Sequence, residues 1–234
     1  MTKQNKRNRA NAELFDKDKT YTLDEAVAIL KKATAPKFDE SVEFNIKTGV
    51  DPKKADQLVR GTVSLPHGTG QDIKLLVFAK GDKQKEALEA GADFAGSDEL
   101  LEKVKGGWTD FDAIVATPDM MREVGKLGKV LGPRGLMPSP KAGTVTTDVA
   151  QTVKEIKAGK IEFKVDKSGN MHNVFGKRSF DAKDLKENAR TLLSAIMRAK
   201  PVTVKGAYIQ SLYMSTTMGP GIKLDINSAT QAVN

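Results

Sequence analysis

Apolar and polar positions follow two rhythms along this chain, and the rhythm changes twice. TLDEAVAILKKA, Thr22 to Ala33, spaces Leu23, Ala26, Val27 and Leu30 three and four apart, which is one face of a helix. Thr22 precedes that run and Glu25 follows three residues on, the arrangement of a capping box. SVEFNIK then alternates, with Val42, Phe44 and Ile46 on one side and Glu43, Asn45 and Lys47 on the other. That pattern predicts a strand buried on one face. VRGTVSL repeats it with Val59, Val63 and Leu65.

The first change falls at Pro66-His67-Gly68-Thr69-Gly70. Beyond it, IKLLVFA (Ile73 to Ala79) is almost wholly apolar, as a strand covered on both faces must be. Helical segments are predicted over Asp82 to Ala90 and Asp98 to Val104, and a strand over Ala113 to Ala116. Thr117 and Pro118 suit the N-cap and first turn of another helix. A further helix is expected around Val149 to Lys157. Strand and helix in alternation imply a small α/β layer with parallel strands.

From Ile161 the alternating rhythm returns. IEFKV, a turn at Asp166-Lys167-Ser168-Gly169-Asn170, and MHNVFG read as a hairpin. Asp181 to Lys200 is an amphipathic helix with Leu185, Ala189, Leu192, Leu193, Ile196 and Met197 on one side. AYIQSLYMSTTMGPGIKLDI is strand-like around a Gly-Pro turn. One helix and two strands before Pro66 are too little to bury a core alone. The two outer segments are therefore expected to pair. Residues 1–66 and 161–234 would form a discontinuous antiparallel α+β domain from both termini. Residues 67–160 would form an inserted α/β domain with parallel strands. The two crossings, at Gly68-Thr69-Gly70 and Ala158-Gly159, would act as a double hinge.

Charge sharpens this partition. The chain of 234 residues has a formal net charge of +8. Residues 1–66 carry 13 Lys and Arg against 10 Asp and Glu, residues 161–234 carry 11 against 6, and residues 67–160 carry 14 of each. The whole excess lies on the outer segments, where a polyanion is expected to bind. There is no cysteine, which excludes disulfides and thiol nucleophiles and fits a reducing cytosol. The polar N-terminal stretch lacks a signal-peptide core and no apolar run is of membrane-spanning length, so a soluble cytoplasmic protein is expected, with no membrane partner.

The search for catalytic chemistry is negative. His67 and His172 are the only histidines and have no metal-ligand neighbour at helix spacing, so no metal and no cofactor are expected. The step from strand to helix at Gly81 lacks the Gly-x-Gly-x-x-Gly fingerprint. The stretch KVLGPRGLMPSPKAGTV, Lys129 to Val145, holds glycines at the wrong spacing for a phosphate-binding loop, and Pro133 removes a backbone donor. With basic residues and no acidic one, it reads either as a solvated loop or as a weak RNA or domain-contact surface. Residues alone thus leave two classes open: an RNA-binding structural protein, or an enzyme on a Rossmann-like domain with the outer domain as a nucleic-acid tether.

As words, these segments are specific. GKVLGPRGLMPSPKAGTV resembles the signature of the L-one family of large-subunit ribosomal proteins, the stalk proteins of the ribosome. KFDESVEF, VRGTVSLPHGTG, AGAD, FDAIVATPDMM, EIKAGKIEF and STTMGP agree with it in order over essentially the whole chain. The resemblance implies a non-enzymatic protein with an outer α+β domain and an inserted Rossmann-like domain, monomeric when free. It implies binding to large-subunit ribosomal RNA beside other ribosomal components, in a mobile stalk near the exit site for tRNA. It also implies assistance in release of deacylated tRNA, and repression of translation through the protein's own messenger RNA.

The family's RNA-binding residues match here at Lys37, Phe38 and Ser41 and at Ser211, Thr217, Met218 and Gly219. Lys37 would meet a phosphate. Phe38 and Met218 would offer apolar surface to a sugar or base; without the resemblance both read as core. Ser41, Ser211 and Thr217 would bond 2′-hydroxyls, and Gly219 would let the RNA backbone approach. Weaker RNA candidates are Lys3, Lys6, Arg7 and Arg9 in a basic arm that equally reads as a solvated tail, Lys167 and Ser168 at a hairpin tip, Lys177, Arg178, and Arg134 in the loop.

Overall fold

The structure, a computed structural model, describes residues 6–231. Along the chain run α1 (Lys6–Ala12), α2 (Leu23–Lys32), β1 (Ser41–Thr48), β2 (Arg60–Ser64) and β3 (Leu75–Phe78). There follow α3 (Asp82–Glu89), β4 (Phe94–Gly96), α4 (Asp98–Lys105), β5 (Ala113–Ala116), α5 (Met121–Gly125), α6 (Gly128–Leu131) and α7 (Val149–Lys157). The chain ends with β6 (Lys160–Lys164), β7 (Asn170–Lys177), α8 (Ala182–Arg198), β8 (Ile209–Thr216), β9 (Ile222–Lys223) and α9 (Ile226–Gln231). These elements group into two units, one up to Gly70 and from Ile161 onward, the other Gln71–Lys160.

In the first unit, a sheet of order β7-β1-β8-β9 is antiparallel at every pairing. β1 buries alternate residues as its sequence predicts: Val42, Phe44 and Ile46 are covered, while Ser41, Glu43, Asn45 and Lys47 stay half-exposed on the other face. Onto the apolar face packs α8, which buries Leu185, Ala189, Leu192, Leu193 and Ile196 in one core with Phe44, Phe175, Leu212 and Met214. The Phe44 and Phe175 rings lie 4.4 Å apart between centroids. Each such side chain contributes about 1.5–3 kcal/mol on leaving water. α2 joins the same core through Leu23, Ala26, Val27 and Leu30. Its start is the capping box the spacing predicts: the Glu25 amide donates to Thr22 Oγ1 at 3.3 Å, and the Thr22 amide donates to Glu25 Oε2 at 2.9 Å.

One expected pairing does not occur. The turn after β6 is real, with the Asp166 amide bonded to the Asn170 carbonyl at 2.8 Å, but β6 and β7 are not partners. β6 pairs with β2 in a separate two-stranded sheet, and β7 pairs with β1. Sequence adjacency favours a hairpin, but β7 pairs along the edge of β1, where Phe175 shares the α8-covered core with Phe44.

The second unit is a three-layer α/β arrangement. Its parallel sheet has the order β4-β3-β5, with β3 buried along its whole length. Leu76 and Phe78 point into one cluster with Val104, Met120, Val124 and Leu131, so α4, α5 and α6 lie on that side. Leu75 and Val77 point into the other, with Ala87, Val149, Val153 and Ile156 of α3 and α7. The stretch Lys129 to Val145 belongs partly to this core. Leu131 and Ala142 are buried, and the Ala116 amide donates to the Thr144 carbonyl at 2.9 Å, extending the sheet beside β5. Thr117 is extended ahead of Pro118, yet its side chain makes no capping bond.

Around the crossings, Gly68, Gly70 and Gly159 take φ of 63°, 69° and 106°, which only glycine adopts without strain. The first crossing is tied to the first unit. Asn188 of α8, fully buried, accepts from the His67 amide (3.1 Å) and donates to the Gly68 carbonyl (2.9 Å) and the Phe175 carbonyl (2.8 Å). His67 Nε2 lies 2.7 Å from Glu187 Oε2, a bond that holds the Glu187 carboxyl below its ordinary value. A Cβ on Gly70 would fall 2.7 Å from the Phe180 ring.

Candidate nucleic-acid interface

The segments that hold Lys37, Phe38 and Ser41 and Thr217, Met218 and Gly219 are far apart in sequence and meet at Glu40. Glu40 is 1% exposed, a carboxylate nearly out of water. A charge there must be paired and hydrogen-bonded. Its Oε1 accepts from the Met218 amide at 2.9 Å and from Thr216 Oγ1 at 3.1 Å. Its Oε2 accepts from Arg178 Nη1 at 3.1 Å, and its carbonyl accepts from the Arg178 amide at 2.8 Å. Arg178 Nη2 donates in turn to the Lys31 carbonyl at 3.1 Å and to that of Ala33, where α2 ends. Lys31 Nζ answers with a bond to the Arg178 carbonyl at 2.5 Å. Three segments are thus locked around one acid.

That lock fixes what surrounds it. The Thr217 amide donates to the Ser41 carbonyl and the Ser41 amide to Thr217 Oγ1, both at 3.1 Å. Lys177 Nζ donates to Ser41 Oγ at 3.1 Å. Gly219 sits so close to Thr216 that a Cβ would lie 2.1 Å from Thr216 Oγ1. Lys37 is exposed, as are Phe38 at 53% and Met218 at 51%. Both apolar residues read as core from residue type alone, and the structure instead leaves both on the surface.

Ser211 is placed elsewhere. It stands six residues before Thr217 on β8, about 20 Å away along an extended strand, opposite Lys47 of β1. Lys47 lies between Ser211 of β8 and Asn170 of β7, and its Nζ reaches the Ser168 carbonyl at 2.5 Å, so Ser211 is at the same end of the sheet as the exposed turn carrying Lys167 and Ser168. The expected residues therefore mark the two ends of the solvent-facing side of the main sheet. Between the ends lies a polar row that is not among the RNA-binding residues expected from the sequence. His172, Asn45 and Tyr213 are in register across β7, β1 and β8, with His172 Nδ1 2.6 Å from Asn45 Oδ1. Ser215 Oγ bonds both Asn45 Nδ2 (2.9 Å) and Glu43 Oε1 (3.2 Å). The signal was the polar half of each alternating strand.

Of the weaker candidates, Lys6 and Arg9 are exposed on α1, and Arg7 Nη2 donates to the Met218 carbonyl at 3.2 Å. Lys3 lies outside the described residues. Arg178 is committed to Glu40 and the end of α2 rather than offered to solvent. Arg134 belongs to the second unit, where Nη1 bonds Thr109 Oγ1. Among the described residues no group of His, Asp and Glu is placed to hold a metal ion, and no helix is long and apolar enough to cross a membrane.

Comparison with known proteins adds what geometry alone does not. Residues 30–220 match the profile of the ribosomal protein L1p/L10e family. A protein of Protochlamydia amoebophila named large ribosomal subunit protein uL1 is 64% identical over 232 residues, covering 99% of this chain and 98% of the relative. Proteins of the same name from Kosmotoga olearia and Chlamydia trachomatis serovar D are each 58% identical over 225 residues, covering 96% of this chain and 97% of the relative. A match this long and this close removes the enzyme reading: the chain belongs to the ribosomal protein L1p/L10e family, structural proteins of the large ribosomal subunit and not enzymes.

Proposed function

We propose that the chain binds large-subunit ribosomal RNA through the surface centred on Glu40, and so builds the mobile stalk near the tRNA exit site of the ribosome in the cytoplasm. The supporting observation is the Glu40 lock. It fixes the Met218 amide and the Ser41–Thr217 pairing next to Glu40, while Phe38 and Met218 stay exposed and Lys37 adjoins Phe38 in the chain. Preorganisation of this kind lowers the entropy lost on binding. Lys37 meets a phosphate, Phe38 and Met218 cover a sugar or base, and the polar sheet face extends the contact toward Ser211, Lys167 and Ser168.

The units up to Gly70 and Gln71–Lys160 act as separate domains in this reading, swinging about the chain crossings to assist release of deacylated tRNA. Because Asn188 and Phe180 hold residues 67–70 to the first unit, the first pivot falls after Gly70. The same RNA surface serves repression by engaging the protein's own messenger RNA. Crosslinking the chain to RNA in cells and sequencing what is recovered tests this. Large-subunit ribosomal RNA and the protein's own message are expected, crosslinked at Phe38, Met218 or the sheet face. Crosslinks confined to residues 71–160 would overturn it.

A further inference from the structure

Between α1 and the Met218–Gly221 loop lies a cleft of about 250 Å³, far roomier than one water, whose share of liquid volume is about 30 Å³. Asn11 and Lys17 line one side. Asn11 is 2% exposed, and its amide is half used: Oδ1 accepts from the Thr34 amide at 2.8 Å, whereas Nδ2 finds no partner among the described residues. Arg7, one turn earlier, bonds the Met218 carbonyl with Nη2 while its Nε has no partner among them either. Burying an amide donor unpaired is costly, and folded proteins rarely leave one so. Among the described residues no carboxylate lines the cleft. The cleft itself offers the Asn11 amide and the Lys17 charge, which suit an acceptor that carries several oxygens and negative charge.

We propose that this cleft is a phosphate subsite for the RNA strand that leaves the Met218–Gly219 contact, with Asn11 Nδ2 as its buried donor and Lys17 as its charge. The inference rests on the RNA-binding reading above and adds to it a ligand group. A phosphodiester suits such a site, and the cleft shares Met218 and Gly219 with the proposed surface, so the two adjoin.

Asn11→Asp tests it cleanly. The variant keeps Oδ1 for the Thr34 amide and replaces only the free donor by a charged acceptor. Binding of the full chain to large-subunit ribosomal RNA is measured against salt for wild type, Asn11→Asp and Met218→Ala. Asn11→Asp is expected to bind about tenfold or more weakly, with a log–log salt slope shallower by about one phosphate contact. Met218→Ala is expected to bind more weakly at an unchanged slope. Loss in Met218→Ala alone, with Asn11→Asp equal to wild type in affinity and slope, overturns the subsite and spares the RNA reading. Absence of binding by wild type overturns both. Should Asn11→Asp melt at a lower temperature than wild type, Lys17→Gln carries the test, and an unchanged slope in that variant overturns the assignment.

Discussion

Glu40 and Arg178 form an ion pair at 3.1 Å whose carboxylate is 1% exposed and whose guanidinium side chain is 16% exposed. Each charge is satisfied on more than one side, so removing either strands the other. Glu40→Leu is expected to destabilise the protein by about 3–5 kcal/mol in chemical denaturation. Glu40→Leu combined with Arg178→Met is expected to lose less than Glu40→Leu alone, because no charge is then left unpaired. A double variant worse than the sum of the singles would show that the pair does not act as a unit.

At the proposed RNA contact, chemistry and charge separate. Met218→Ala is expected to weaken RNA binding by about 1–3 kcal/mol with the salt slope unchanged, since it removes apolar contact and no counterion release. Thr217→Val acts twice, because Thr217 Oγ1 also accepts from the Ser41 amide, so it is expected to lower the melting temperature as well. Lys37→Ala is expected to leave stability alone and make the slope shallower. Filter binding over a salt series distinguishes the three.

Gly219 is required by its neighbour rather than by its own torsion. A methyl group there would fall 2.1 Å from Thr216 Oγ1, which is engaged with Glu40. Gly219→Ala is expected to cost about 1–3 kcal/mol of stability by overpacking and to weaken RNA binding with it. A normal melting temperature in this variant would show that the loop gives way without cost.

Tyr208 is 4% exposed and its hydroxyl has no hydrogen-bond partner among the described residues. Burial pushes the phenol up to about 12. A group whose folded value is raised lends stability below its unfolded value of about 10, and that stability is lost as pH rises toward about 12. Tyr208→Phe is expected to be neutral or stabilising by about 1 kcal/mol near neutral pH, and to lose the part of the alkaline destabilisation that falls in this window. Urea denaturation at several pH values reads both effects.

A chain of residues 1–70 joined to 161–234 by a short Gly-Ser linker is expected to fold cooperatively and to bind the RNA to within about tenfold of the full chain, or ~1.4 kcal/mol. Residues 71–160 alone are expected to bind it far more weakly. RNA affinity residing in residues 71–160 would refute the division of labour.

The sequence was most informative where structure is decided by near neighbours. The Thr22 and Glu25 pair announces the start of α2, and the alternation in β1 announces both its buried face and its polar one. β4 is three half-buried residues, too short to impose a period. β6 and β7 looked like a hairpin because local turn chemistry is legible and strand choice is not. Glu40 is the clearest case. Its partners lie 138, 176 and 178 residues away, and nothing beside it in the sequence tells a buried acid from a solvated one. Asn188 reads as one more polar residue on a helix until the Gly68 and Phe175 carbonyls are seen to need it.

The Glu40 lock also sets an order of events during biosynthesis. Lys37, Phe38 and Glu40 are made early, Arg178 late, and Thr216 and Met218 later still. Until those last groups arrive, the carboxylate has no set of donors to hold it dry, and the α2–β1 turn has no reason to keep its final shape. A growing polypeptide therefore displays the apolar and basic half of the proposed surface without the part that fixes it. On the proposed reading, binding competence is expected to arrive as a threshold near the end of translation rather than by degrees, and a product terminated before Thr216 is expected not to compete for the RNA.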